Sequence, residues 1–399
     1  MKDLKFLIFL QASMLGGQKV IVKVPVLDLV KKPFGLKFSQ DEIEEKYANL
    51  SFGDECCQRE YQLLFNEKVS IEQELGKEVK VKVPSILFFD PEAEKYSNEY
   101  WALKENFISL ESLELDGVDL SKFPNQVYWN RTDLSFCSKD SLSLTMPFEH
   151  SGLIYSAGTR FHISKSFVDG YKVYFFNFYA KQFEEVFVPK EMGMPFDAGK
   201  TLDERISDFV NLIRRWTKLN EGFIPYVYAG SSFTTIYKVD EYKKTEDGSC
   251  AFYWRQEFSE YPYTGFDCSC IISRVAQMCG MAYFYKDSLT LSKNLKPLEK
   301  DEPIEPGDII WFPGHVMIVS DVKNNLLLES RGYAAGFGKT HEISLSKAFA
   351  EIENYDQLID AHLNKHSLKL LARDGSLRSV LEEFKIFKFK SFTQFNLKN

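Results

Sequence analysis

The stretch Gly265-Phe266-Asp267-Cys268-Ser269-Cys270-Ile271-Ile272-Ser273-Arg274-Val275 passes from a loop into an apolar pattern. Ile271, Ile272, Val275, Met278 and Cys279 recur at i, i+1, i+4, i+7 and i+8. That is one stripe at period 3.6, and it predicts a helix. Gly280 is a natural stop. Cys268 is then expected in the first turn, where the positive end of the helix favours a thiolate. Cys270 would point about 200° away around the same helix and serve as a small packing residue.

Further along, Glu305-Pro306-Gly307-Asp308 reads as a turn, Ile309–Phe312 as a buried strand and Pro313-Gly314 as a second turn. His315 opens the next strand, His315–Val319, and Leu326-Leu327-Leu328 begins a third that leads to Glu329. A thiol is mostly protonated at neutral pH, so a nucleophilic cysteine needs a base. His315 is the candidate base. If the strands pair antiparallel, Glu329 lies beside His315 and orients its ring, which completes a nucleophile–base–orienter set.

These residues resemble the NlpC/P60 cysteine peptidases, a family with a papain-like fold. Its pattern runs Asp-Cys-Ser-Gly, a helix, a Pro-Gly-Asp turn and then His-Val at a strand start. This chain has Asp267-Cys268-Ser269-Cys270, Pro306-Gly307-Asp308 and His315-Val316. Upstream, Pro225-Tyr226-Val227-Tyr228-Ala229-Gly230 matches the family's Pro-Tyr-x-Trp-Gly-Gly with two changes. The resemblance implies a catalytic set of Cys268, His315 and Glu329, with the Tyr226 hydroxyl aimed at the tetrahedral oxygen. Asp267 and Ser269, on the cleft rim, are substrate-contact candidates. The departures are Cys270 for Gly, Tyr228 for Trp, Ala229 for Gly, Glu329 for the usual His, and an insertion at about 232–262.

The chain has 399 residues, room for two or three domains. Hydrophobic content is 44% and charged content 27%, which suits a globular protein with a sizeable core. A net charge of −8 argues against a nucleic-acid partner. The 35 Phe and 20 Tyr favour β-rich cores over a helical array. Seven cysteines give no even disulfide framework, and the lack of paired C-x-x-C spacing argues against a metal site. No cofactor is expected. Residues 1–17 read either as a short secretory signal, with Lys2 and Lys5 ahead of Phe6–Leu10, or as a disordered or β-forming N-terminus. That alternative leaves localisation open between export and cytoplasm.

The expected fold is α+β. Residues 18–115 carry strand-like runs at Val20–Val26, Lys68–Ile71, Val79–Val83 and Trp101–Phe107, and residues 116–198 carry a second set. Both are expected to be small antiparallel barrels. Thr201 with Glu204 makes a capping box for a long helix, and the peptidase domain is placed at 199–399. Residues 350–399 form a C-terminal extension without a legible role.

This order resembles NlpC/P60 enzymes with tandem bacterial SH3 modules. The resemblance implies a monomer that cuts the γ-D-glutamyl–diamino acid bond of peptidoglycan stem peptides bearing a free N-terminal L-Ala. It further implies that Glu67, in Leu64-Phe65-Asn66-Glu67-Lys68-Val69, pairs with the amine and that Tyr100 assists. Alternatives are an acyltransferase or amidase using the same thiol, a general endopeptidase on intact peptidoglycan, and a wall-binding protein without activity.

Overall fold

The computed structural model describes residues 13–50, 57–124, 140–219, 222–238, 242–244, 250–252 and 262–394. The sequence-based signal at Lys2–Leu10 and most of the 232–262 insertion lie outside them. The architecture mixes helices with antiparallel sheets.

The first sheet has seven strands: β1 (Ser13–Val22), β2 (Val26–Val30), β3 (Arg59–Leu64), β4 (Lys68–Leu75), β5 (Glu78–Lys82), β6 (Glu99–Leu103) and β7 (Phe107–Ser109). Their order is β3-β2-β6-β5-β4-β1-β7. β1 crosses the expected boundary at residue 17, with Ser13 and Met14 already paired to Glu74 and Gln73. Alternation sorts the residues by face. Val20, Val22, Leu29, Val69, Ile71, Val79, Val81 and Tyr100 build one core. Val30, Leu75, Trp101 and Leu103 turn to the other face, under Ile43 and Tyr47 of helix α1 (Gln40–Ala48).

The second sheet has five strands: β8 (Ser141–Leu144), β9 (Arg160–Ser166), β10 (Gly170–Asn177), β11 (Gln182–Pro189) and β12 (Gly193–Pro195). Their order is β11-β10-β9-β8-β12. Among the described residues neither sheet closes into a barrel, contrary to the expectation from sequence. One edge of each sheet is guarded in another way. Ser231 and Arg274 take backbone groups of edge strand β3 at Gln62. Edge strand β12 ends in Pro195, which has no N–H to offer a further strand.

Helix α2 (Leu202–Thr217) starts at the capping box: Thr201 accepts the Glu204 N–H, and Glu204 accepts the Thr201 N–H at 2.7 Å. Helix α3 (Cys270–Met278) packs beside it. The third sheet runs β13 (Lys296–Pro297), β14 (Ile309–Phe312), β15 (His315–Asp321), β16 (Leu326–Arg331) and β17 (Lys339–Ser344). The chain then forms β18 (Phe349–Ala350), helix α4 (Tyr355–Asn364), β19 (Leu368–Leu371) and β20 (Leu377–Leu381), and returns as β21 (Lys385–Lys388). The order of the third sheet is β13-β21-β14-β15-β16-β17, so the late strand β21 lies between β13 and β14.

Both faces of that sheet are covered. Ile309, Trp311, Val316, Ile318 and Leu328 face α2 and α3. Ile310, Phe312, Met317, Val319 and Leu327 face Leu345, Leu358, Leu368 and Leu370 of the C-terminal segment. Burial on both faces explains why these strands read as continuous apolar runs.

Candidate active site

Asp267, Cys268 and Ser269 form the turn into α3. Asp267 accepts the N–H groups of Ser269, at 2.9 Å, and Cys270, at 2.5 Å, so it caps the helix with its side chain. The Ser269 hydroxyl also donates to Asp267, at 3.2 Å. The helix begins at Cys270, so Cys268 stands just ahead of it and not in its first turn. Cys270 is buried and packs into the core of the first sheet.

That position leaves the thiol with less dipole support than its sequence pattern suggested. Burial, and then the Asp267 carboxylate, push the Cys268 thiol up, while the backbone N–H groups of Val316, Cys268 and Ser269 pull it down by less. The balance favours the protonated thiol over the thiolate.

The Val316 contact also fixes the geometry, because it sets the head of β15 against the sulfur. His315 is the residue before it. Its Nε2 lies 2.9 Å from Oε2 of Glu329 on β16. Ser330, next on β16, donates to the Phe266 carbonyl at 2.6 Å and so ties the carboxylate's strand to the cysteine's loop.

Glu329 is fully buried. Burial alone would raise its carboxyl, but the Arg331 charge and the contacts of His315 and His341 outweigh it and hold the group well below the usual carboxylate range. Arg331 Nη1 stands 3.6 Å from Oε1. His341 Nε2 stands 3.0 Å from Oε1, at a bent angle.

Tyr226 borders the site. Its N–H donates to the Gly338 carbonyl at 2.8 Å, its carbonyl accepts from the Tyr333 hydroxyl at 2.6 Å, and its ring meets Tyr333 edge-on. Gly230 and Gly265 let this segment pass close to the cysteine loop: a Cβ on Gly230 would meet the Gly265 carbonyl, and one on Gly265 the Pro225 carbonyl, each at 2.4 Å.

The two residues expected to read an amine are placed differently. Glu67 accepts from Arg274 of α3 at 2.6 Å, and its other oxygen accepts the Leu64 N–H at 3.1 Å. Its carboxylate already holds a buried cation, so a substrate amine expected to pair with Glu67 would have to compete with Arg274. Tyr100 is fully buried, and its hydroxyl finds no hydrogen-bond partner among the described residues. The Lys286 ammonium lies over its ring and that of Phe88, at 5.6 and 5.2 Å, and is bonded to Glu60.

Sequence reasoning missed Arg274, Gln62, Glu60, Lys286, Arg331 and His341. Arg274, on a helix read only for its apolar stripe, fastens Gln62 and Glu67 of the first sheet to the cysteine's helix. A signal for His341 existed: glycines at 332, 336 and 338 mark a turn, and folding β17 back on β16 pairs Glu329 with His341.

No family model matches the chain, and no curated protein matches it. Among solved structures it is similar to an NlpC/P60 family protein from Bacillus cereus, at 16% identity over 82% of this chain and 94% of that one, with a TM-score of 0.49. It is also similar to NlpC2 from Trichomonas vaginalis, at 12% identity over 84% and 94% of the two chains, with a TM-score of 0.31. A third similarity is to the peptidoglycan hydrolase RipB from Mycobacterium tuberculosis, at 21% identity over 39% and 68%, with a TM-score of 0.23.

Proposed function

We propose that this protein is a cysteine hydrolase of amide bonds, with peptidoglycan stem peptides as substrate. The observation that carries the chemistry is the buried, ionised Glu329 bonded to His315, with Val316 against the Cys268 sulfur. In the proposed cycle Cys268 attacks the carbonyl carbon and its proton passes to His315. Glu329 stabilises the imidazolium that forms. The oxyanion is met by the Cys268 N–H and by the Tyr226 hydroxyl, since Asp267 takes the N–H groups of Ser269 and Cys270. His315 returns the proton to the departing amine, and the C–N bond breaks. Water, deprotonated by His315, then cleaves the thioester and regenerates the thiol.

The substrate class rests on the motif resemblance at Asp267-Cys268-Ser269, Pro306-Gly307-Asp308 and His315-Val316. The scissile bond we propose joins γ-D-Glu to a diamino acid. A preference for a free N-terminal L-Ala remains part of the proposal. The test is product mass after incubation with L-Ala-γ-D-Glu-diaminopimelate, alongside its N-acetylated form. Wild type should release the diamino acid and Cys268→Ala should not. Turnover by Cys268→Ala would overturn the mechanism. Equal rates on free and acetylated peptide would identify a general endopeptidase instead.

A further inference from the structure

Glu329 serves more than one histidine. β16 and β17 pair antiparallel with Glu329 directly opposite His341, so the two side chains rise from the same face. His341 approaches Oε1, the oxygen that His315 does not use. Arg331, two residues along β16 and on that same face, approaches the same oxygen. Both approaching groups are anchored in turn. Arg331 donates to the Leu371 carbonyl on β19 at 2.8 Å. The His341 ring stacks on Phe337 at 4.4 Å and 5°, and its Nδ1 faces the Lys339 carbonyl at 3.1 Å. The side chains of Glu329, Arg331 and His341 are 0%, 5% and 11% exposed, so water does not take their place.

A carboxylate's terminal torsion is broad and two-fold, so one hydrogen bond does not fix it. Buried with only a neutral imidazole as partner, a carboxylate would also drift towards its protonated form, which cannot stabilise an imidazolium. Arg331, at 3.6 Å, is beyond hydrogen-bond range and acts through charge. His341 Nε2 comes nearer to Oε1, at 3.0 Å along a bent approach, and acts as a donor to it when that nitrogen carries a proton. Other charged groups near β17 look elsewhere: Arg214 of α2 and Lys218, just past its end, reach Glu342.

We propose that His341 is a positioning residue for the Cys268–His315 pair: by holding Oε1 of Glu329 it keeps the carboxylate ionised and Oε2 turned to His315. The inference rests on the reading of Cys268 and His315 as nucleophile and base. It assigns a role to a residue outside the motifs on which that reading stands.

The test uses two variants of the full chain. His341→Phe keeps a ring on Phe337 and removes the N–H, while His341→Gln restores an N–H at the position of Nε2. The readouts are kcat and KM on the stem peptide, and the rate at which iodoacetamide alkylates Cys268 without substrate. His341→Phe should lower kcat roughly 10- to 100-fold, the scale on which partners one shell out from a working histidine act. Its KM should stay within about twofold, since substrate binding is untouched. Alkylation should slow in parallel, and His341→Gln should recover most of both rates. An unchanged kcat in His341→Phe, or an equal loss in His341→Gln, overturns the proposal. If wild type cuts no stem peptide while Cys268 alkylation still depends on His341, the substrate reading fails and this inference stands. If wild type is active and both variants match it, the reverse holds.

Discussion

A carboxylate that is fully buried and still ionised is the most demanding group in this site. Glu329 carries that burden because Arg331, His315 and His341 converge on it. Its folded pKa lies below its unfolded value, so the stability it contributes is present above the ordinary carboxylate range, near 4.3, and is lost as pH falls through the folded value. Thermal melts of wild type should therefore fall steeply on acidification below about pH 4. Glu329→Gln should be less stable at neutral pH but show a smaller drop between neutral and acid. Equal drops in the two proteins would mean the charge is not held down. A second residue-scale prediction concerns Ala229, which sits at φ +52° where the resembling pattern has glycine. A left-handed conformation costs a residue with a Cβ about 1–2 kcal/mol, part of which glycine loses again through the entropy of its unfolded chain. Ala229→Gly should raise stability by about 0.5–1 kcal/mol in a denaturant titration, and a loss would refute the strain. Cys268, His315 and Glu329 stood out in the sequence as candidates because each opens or ends a patterned run. His341 and Arg331 were not, because their roles appear only when two strands are laid side by side.

Among the elements, α3 does two jobs. Its apolar stripe joins α2, as the period predicted, and its polar side reaches the first sheet. Arg274 is fully buried and bonds Glu67, the Gln62 carbonyl and the Ser231 carbonyl. The Gln62 amide is in turn held by Asp28 and by the Tyr263 carbonyl. This network joins the edge of β3 to the loops around Cys268 and explains why the sheet needs no barrel closure. Removing one partner of a buried pair costs about 3–5 kcal/mol, because the other charge is left without its counter-ion. Arg274→Met should lose stability on that scale, and Glu67→Gln less. If Glu67→Gln instead keeps full stability and changes selectivity between free and acetylated peptides, the ion pair is incidental and the amine role returns. The sequence could not distinguish these outcomes. A glutamate that meets an amine and one that meets an arginine 207 positions away look alike until the fold brings them together.

At the scale of the whole molecule, the C-terminal segment is a layer of the fold. The extension expected from about residue 350 had no legible role because its short strands and single α4 helix carry weak patterns of their own. They gain meaning only as a cover for the outer face of the third sheet. β21 then enters between β13 and β14, and its last residues lock the Pro306-Gly307-Asp308 turn. Lys388 donates to Asp308 at 2.7 Å and the Phe389 N–H donates to it at 3.1 Å. The Phe389 ring stacks on Phe209 of α2 at 5.0 Å and 15°, on the inner face of the sheet. The tail thus braces both the helix layer and the sheet that carries His315. Phe389→Ala should destabilise the protein by about 3–5 kcal/mol, the usual cost of removing a buried phenyl ring. Denaturant unfolding followed through tryptophan emission reports it, since Trp216 and Trp311 both lie in that core. A dispensable appendage would predict no shift in the midpoint, and would predict that a chain ending after Ser344 folds and alkylates at Cys268 like the full protein. A structural layer predicts that the truncated chain exposes Ile310, Phe312, Met317, Val319 and Leu327 together and loses its cooperative transition.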